Sequence, residues 1–230
     1  VALSLSKRFI AEVVGTYALV LFGCGAMAVD ADTGVLTHVG VALTWGLVVM
    51  VMIFSIGKLS GAHMNPAVSI AFTVHGRLPG KDCFAYVIAQ CIGAIAAAAS
   101  IRAVVGINQA DLGATTTDLH YAAGLGVEFM MSAALMMVVM GVSTGAKEES
   151  ITAAIAVGAT IAMEAMVAGP LTKASMNPAR SLGPALVSGV WDHFTLYLAG
   201  PIFGAIAGAL LYRIMSPTPP PSDAASDTSD

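Results

Sequence analysis

Residues 60–68 read Ser60-Gly61-Ala62-His63-Met64-Asn65-Pro66-Ala67-Val68, and residues 174–181 read Ala174-Ser175-Met176-Asn177-Pro178-Ala179-Arg180-Ser181. Both contain Met-Asn-Pro-Ala, and each interrupts sequence that is otherwise apolar over membrane-spanning lengths. Asn caps unpaired backbone N–H groups at a helix start and Pro fits the first helical position, so each motif reads as a helix N-terminus. The following residues, 67–74 and 179–187, suffice for half a span, because ~10 residues at ~1.5 Å each cover about half of a ~30 Å hydrocarbon core. Two short helices are therefore expected to begin inside the membrane. Non-helical backbone is tolerated at that depth only where protein buries it or it lines a water-filled cavity. Residues 57–63 and 169–176 are accordingly expected to line a pore.

The rest of the chain fits that setting. Hydrophobic residues make up 57% of the 230 residues and charged residues 10%, against about 25% charged in an ordinary soluble domain. Candidate spans are 8–29, 37–56, 83–105, 122–144, 151–169 and 193–215, each near the ~20 residues a transmembrane helix needs. Lys7-Arg8 leads straight into the first span and no cleavage pattern ends it, so no cleavable signal is expected. Lys7, Arg8, Lys58, Arg77, Lys81, Lys147 and Arg213 fall on one side of this topology, and Arg102, Lys173 and Arg180 on the other. This asymmetry places both termini in the cytoplasm. The Pro-, Ser- and Asp-rich stretch 216–230 has too little apolar surface to bury and is expected to be a disordered tail beyond a channel domain of 1–215.

Three cysteines, Cys24, Cys83 and Cys91, show no ligand spacing and read as packing residues. The five histidines show no metal spacing either, and no Ser, Cys or carboxylate constellation has a partner in its own layer, so neither a metal site nor an enzyme is indicated.

The duplication reaches beyond the two motifs. Glu12 opens the first half and Glu128 the second, and Ile92-Gly93-Ala94-Ile95-Ala96 matches Phe203-Gly204-Ala205-Ile206-Ala207. Repeats of about 8–105 and 122–215 carry three spans each, an odd number, so they must enter the membrane in opposite directions. The half-helices then meet N-terminus to N-terminus near the midplane. Gly200, Gly204 and Gly208 give the last span a smooth ridge for close helix packing.

These residues carry a resemblance over about 8–215 to the major intrinsic proteins, the aquaporins and glycerol facilitators. It implies an all-α membrane fold of six tilted helices plus two re-entrant half-helices, one pore per subunit, in a homotetramer in the cell membrane. A passive channel for water and small uncharged solutes is expected, excluding protons and ions and needing no cofactor or nucleic-acid partner. In each motif, Asn65-Pro66-Ala67 and Asn177-Pro178-Ala179, capping fixes the Asn carbonyl and leaves its NH₂ to donate into the pore. Half-helix N-termini worth about +0.5 charge each oppose cations and protons there. By resemblance, the carbonyls of Gly61, Ala62, His63, Lys173, Ala174 and Ser175 line the path, and Glu12 and Glu128 hold the re-entrant backbone. The aromatic/arginine constriction maps to Trp45, Ala165, Ala174 and Arg180.

A filter of Trp, Ala, Ala and Arg lacks the His of strictly water-selective members, which implies a wider mouth. Similarity is strongest to the nodulin-like branch of plants and bacteria, so glycerol-like polyols, urea and undissociated metalloid acids join water as candidate solutes. Two residues depart from the pattern. Lys173 stands where a small or neutral residue is usual, either modifying access or snorkelling to water as a surface lysine. Glu164 is an intramembrane carboxyl beside Ala165, either a modulator or a packed, hydrogen-bonded group. A strictly water-selective aquaporin is the nearest alternative, and a proton-coupled transporter using Glu164 is the more distant one.

Overall fold

The computed structural model describes residues 3–105, 110–143 and 149–216; Lys147 and the tail from 217 onward lie outside them. Among the described residues eight α-helices form: α1 (Leu5–Thr33), α2 (Thr37–Ser60), α3 (Pro66–Val74), α4 (Gly80–Val105), α5 (Tyr121–Val142), α6 (Glu149–Thr172), α7 (Pro178–Ser188) and α8 (Phe194–Met215). Six are long and apolar enough to cross a membrane. The others, α3 and α7, are the short helices expected after the two motifs. Pro66 and Pro178 stand at their first positions, preceded by Asn65 and Asn177 in extended conformation.

The two halves repeat one arrangement, with α1 packed along α4, α5 along α8, and α2 against α6 where the halves join. Small residues permit these approaches. A Cβ on Gly204 would collide with the Phe129 carbonyl and one on Gly208 with the Ala133 carbonyl, so the predicted glycine ridge brings α8 onto the backbone of α5. Gly46 and Gly158 face each other's carbonyls between α2 and α6. Large apolar side chains such as Phe22, Phe54, Phe84 and Phe203 point outward, as lipid-facing surface does.

The structure corrects the expected pore-lining backbone in both halves. α2 continues through Gly57 and Lys58 to Ser60, where Gly61 in left-handed conformation (φ 90°) closes the last turn on the Gly57 carbonyl. The non-helical stretch there is 61–65 rather than 57–63. Likewise α6 runs through Gly169 and Pro170 to Thr172, leaving 173–177 non-helical rather than 169–176. Pro170 lacks the N–H that would bond the Met166 carbonyl, but His38 Nε2 of α2 donates to that carbonyl at 2.7 Å. A neighbouring side chain thus satisfies the backbone group that the proline frees, and the helix need not stop.

Candidate functional site

The two non-helical stretches are strained in the same way. Ala62 and Met64 (φ 50° and 49°) match Ala174 and Met176 (φ 46° and 52°) in the left-handed region, and Gly61 matches Lys173 (φ 62°). A left-handed backbone costs a non-glycine residue about 1–2 kcal/mol, so something must hold each loop in place.

That holder is a buried carboxylate in each half. Glu12, on α1, accepts from Ser60 Oγ (2.6 Å), His63 N (2.9 Å), Met64 N (2.7 Å) and Gln90 Nε2 (2.8 Å). Glu128, on α5, accepts from Thr172 Oγ1 (2.7 Å), Ser175 N (2.9 Å) and Met176 N (2.7 Å). Both side chains are fully buried. Several donors converging on one buried carboxyl offset the strain.

At the centre, Asn65 Oδ1 accepts from Ala67 N (2.9 Å), and Asn177 Oδ1 from Ala179 N (3.0 Å) and Arg180 N (3.2 Å), the capping geometry expected. The side-chain NH₂ groups are not wholly free. Asn65 Nδ2 donates to the Met176 carbonyl at 2.7 Å and Asn177 Nδ2 to the Met64 carbonyl at 2.8 Å, so each half-helix start is tied to the opposite loop. An amide NH₂ has two protons, and one remains on each asparagine.

Asn65 and Asn177 line a cavity of about 140 Å³, whose wall includes Gly61, Ala62, His63, Ala174, Ser175 and Arg180, with apolar side chains such as Val49, Val68 and Phe72 elsewhere. A second cavity of about 370 Å³, holding Asp30, His38, Gly169 and Lys173 in its wall, lies on the side where α1 ends and α2 begins. Trp45, Ala165 and Ala174 line both, so the two spaces adjoin at three of the four predicted filter residues.

The fourth is Arg180, at 1% exposure among the most buried large side chains. Nη1 donates to the Gly113 carbonyl (2.7 Å), Nη2 contacts Met27 Sδ (3.4 Å) and the Lys173 carbonyl (3.5 Å), and the guanidinium lies 4.8 Å from the Trp45 ring centroid. Its Nε has no hydrogen-bond partner among the described residues. A cation held by carbonyls and an aromatic face at a cavity wall is suited to orienting a neutral polar solute.

A family model described as Major intrinsic protein matches residues 1–212. The chain belongs to the major intrinsic protein family. It is 41% identical over 215 residues to a probable aquaporin NIP-type of Nicotiana alata, spanning 94% of this chain and 80% of that one. It is 43% identical over 210 residues to Aquaporin NIP1-1 of Zea mays, with 91% and 74% coverage. The solved aquaglyceroporin of Plasmodium falciparum superposes with a TM-score of 0.80 at 23% identity, over 92% of this chain and 95% of that one, and shares the fold.

Within this major intrinsic protein, not every predicted residue falls in the candidate site. Glu164 is buried (3% exposed) and neither carboxyl oxygen has a hydrogen-bond partner among the described residues. It lines neither cavity. Lys173 is exposed and reaches the wall of the second cavity, its carbonyl turned to Arg180. Cys24, Cys83 and Cys91 are unpaired thiols within or beside the helix packing.

Sequence reasoning missed Gly113, Met27 and His38. Gly113 ends a turn at Ala110–Gly113 in which Asp111 and Leu112 are left-handed and Leu112 is fully buried. A glycine after an acid-leucine pair in a connecting loop was the available signal. Its arginine partner, 67 residues away, was not deducible from it.

Proposed function

We propose that this protein is a passive channel for water and small uncharged solutes, glycerol-like polyols among them and urea or undissociated metalloid acids as further candidates. The adjoining of two cavities at Trp45, Ala165 and Ala174, with Arg180 closing the constriction, carries this proposal. A solute on this path meets the spare N–H groups of Asn65 and Asn177, the guanidinium edge of Arg180 and the apolar faces of Trp45, Val49 and Phe72. It exchanges bulk hydrogen bonds for a few fixed ones and never needs to carry charge. Positive half-helix ends at Asn65 and Asn177 oppose protons and cations. The names of the relatives, aquaporins and an aquaglyceroporin, support the same class of cargo.

Homotetrameric assembly in the cell membrane with both termini cytoplasmic completes the proposal. Lys7, Arg8, Lys58, Arg77, Lys81 and Arg213 at one end of the helices, against Arg102, Lys173 and Arg180 toward the other, support that orientation.

The test is purified protein in liposomes, shrunk in an impermeant osmolyte and then reswollen in glycerol. Water flux without proton current and measurable glycerol reswelling are expected. Ala165→His should narrow the constriction and lower glycerol flux more than water flux. Absence of glycerol flux in the unmodified protein would leave a strictly water-selective channel, and uphill uptake driven by a pH difference would make it a transporter.

A further inference from the structure

Met27 is a point at which the walls of the two cavities touch. It stands toward the end of α1, partly exposed, and lines the second cavity, whereas Arg180 lines the first. Their contact, Met27 Sδ to Arg180 Nη2 at 3.4 Å, joins the two walls beside Trp45, whose ring centroid lies 4.8 Å from the guanidinium. Nη2 is the less firmly held end of that guanidinium. Nη1 has the Gly113 carbonyl at 2.7 Å, but among the described residues Nη2 has a thioether, which is a weak acceptor, and the Lys173 carbonyl at 3.5 Å.

Met27 also differs from the other sulfur side chains near the path. Among the described residues it is the one methionine in the wall of the second cavity. Met64 and Met176, in the wall of the first, are each 3% exposed and belong to the strained loops, and Cys24, about one turn before Met27 on α1, is fully buried. A small water-soluble oxidant entering the second cavity therefore meets the Met27 sulfur before any of these. Oxidation turns a flexible apolar thioether into a polar sulfoxide, and at Met27 that new polar group would stand against the arginine of the constriction.

We propose that Met27 is an oxidation site through which hydrogen peroxide narrows the constriction, with Met27 acting as a positioning residue for Arg180. The proposal rests on the channel reading above. In the step, a sulfur lone pair attacks one peroxide oxygen, an S–O bond forms as the O–O bond breaks, the sulfur gives up two electrons to become a sulfoxide, and the other oxygen leaves as water with both hydrogens. The sulfoxide oxygen offers Nη2 a charge-assisted hydrogen bond where the thioether offers a weak contact. It also adds an atom at the seam between the two cavities. Both changes act against a solute that fills the constriction and uses the guanidinium as a donor, so glycerol is hindered more than water.

The full-length protein in liposomes is treated with hydrogen peroxide, water and glycerol fluxes per channel are measured before and after, and peptide mass spectrometry locates the added oxygen. Met27 should take up oxygen ahead of Met64 and Met176. Glycerol flux should then fall about fivefold, the factor that one stronger hydrogen bond to be displaced adds to a barrier, while water flux falls less. Met27→Gln places a carbonyl oxygen on a side chain of similar length and should show the lowered glycerol-to-water ratio without peroxide. Met27→Leu cannot form a sulfoxide, so its ratio should be the same before and after treatment, which separates Met27 from oxidation at any other sulfur. Oxidation of Met64 or Met176 with Met27 intact, an unchanged flux ratio at full Met27 oxidation, or an equal peroxide response in Met27→Leu would overturn the proposal. Absence of glycerol flux in the untreated protein would defeat the wide-constriction reading instead. Water flux is then the readout, and a water flux indifferent to Met27 oxidation would overturn this inference on its own.

Discussion

Asn65 and Met176 join the two repeats: the Asn65 side-chain NH₂ donates to the Met176 carbonyl at 2.7 Å, 111 residues away along the chain. Asn177 returns the bond to Met64. The half-helices therefore fasten to each other's loops as well as meeting end to end, and each asparagine is cap and clasp at once.

Asn65→Ala removes both roles. Losing the cap costs about 1 kcal/mol, and leaving the buried Met176 carbonyl unpaired about 1–3 kcal/mol more. A clear drop in thermal stability is expected. Asn65→Asp should keep the cap, because a carboxylate oxygen still accepts from Ala67 N, but it loses the clasp and puts negative charge at the half-helix meeting point. Lower water flux and a measurable cation leak are expected in liposomes. An Asn65→Asp protein that is as stable and as impermeable to cations as the unmodified one would show that the clasp and the positive field are unimportant.

Glu12 and Glu128 act as acceptors, and apart from the bond from Gln90 to Glu12 their bonds run from donors on or beside a strained loop. Gln at either position would turn an NH₂ toward donors such as Met64 N–H or Met176 N–H. A donor facing a donor leaves both unsatisfied. Glu12→Gln and Glu128→Gln should each destabilise the fold by about 2–4 kcal/mol, the range for breaking a buried charged hydrogen-bond network. Unfolding curves in detergent check this. Glu12→Gln has the more to lose, since Gln90 bonds Glu12 and no second side-chain amide bonds Glu128 among the described residues.

Lys173 occupies the left-handed position that Gly61 fills in the other half. Lys173→Gly should relieve about 1 kcal/mol of backbone strain and take a positive charge from the wall of the second cavity. Raised thermal stability with retained water flux is expected. A stability loss instead would mean that the lysine side chain makes a contact worth more than the strain.

What the sequence made legible is local. Asn-Pro announces a helix start wherever it stands, because capping and the fixed proline φ are decided within a few residues, and hydropathy marks a span without reference to its neighbours. The two half-helices and six spans were therefore readable, whereas the filter candidates came only from the family resemblance. Continuation of α6 through Pro170 was not, since it depends on His38 reaching the Met166 carbonyl from another helix. The second bond of each asparagine was equally hidden. Its acceptor lies in the opposite repeat, and only the packed structure brings a carbonyl to within 2.8 Å of Asn177 Nδ2. Glu164 stood out as an intramembrane acid beside a filter position, yet neighbouring residues on a helix point about 100° apart, and it is Ala165 that lines the cavities.

Gly113 is the residue on which the position of Arg180 most depends. It is left-handed at φ 75°, its carbonyl takes Arg180 Nη1 at 2.7 Å, and a Cβ there would lie 2.8 Å from Cys24 Cβ. Gly113→Ala is thus opposed twice, by backbone strain and by a collision with buried Cys24, and the carbonyl must shift. Arg180 would then lose its best-placed acceptor while staying buried beside Trp45. Lower thermal stability and a changed ratio of glycerol to water flux are expected, because an arginine with one fewer anchor no longer holds one width of constriction. Cys24→Gly removes the Cβ that Gly113→Ala would strike, so the double variant should recover part of the lost stability while the left-handed strain persists. Measuring both fluxes per channel in liposomes separates the outcomes. A Gly113→Ala protein with the unmodified flux ratio would show that Met27, Lys173 and Trp45 suffice to place the guanidinium.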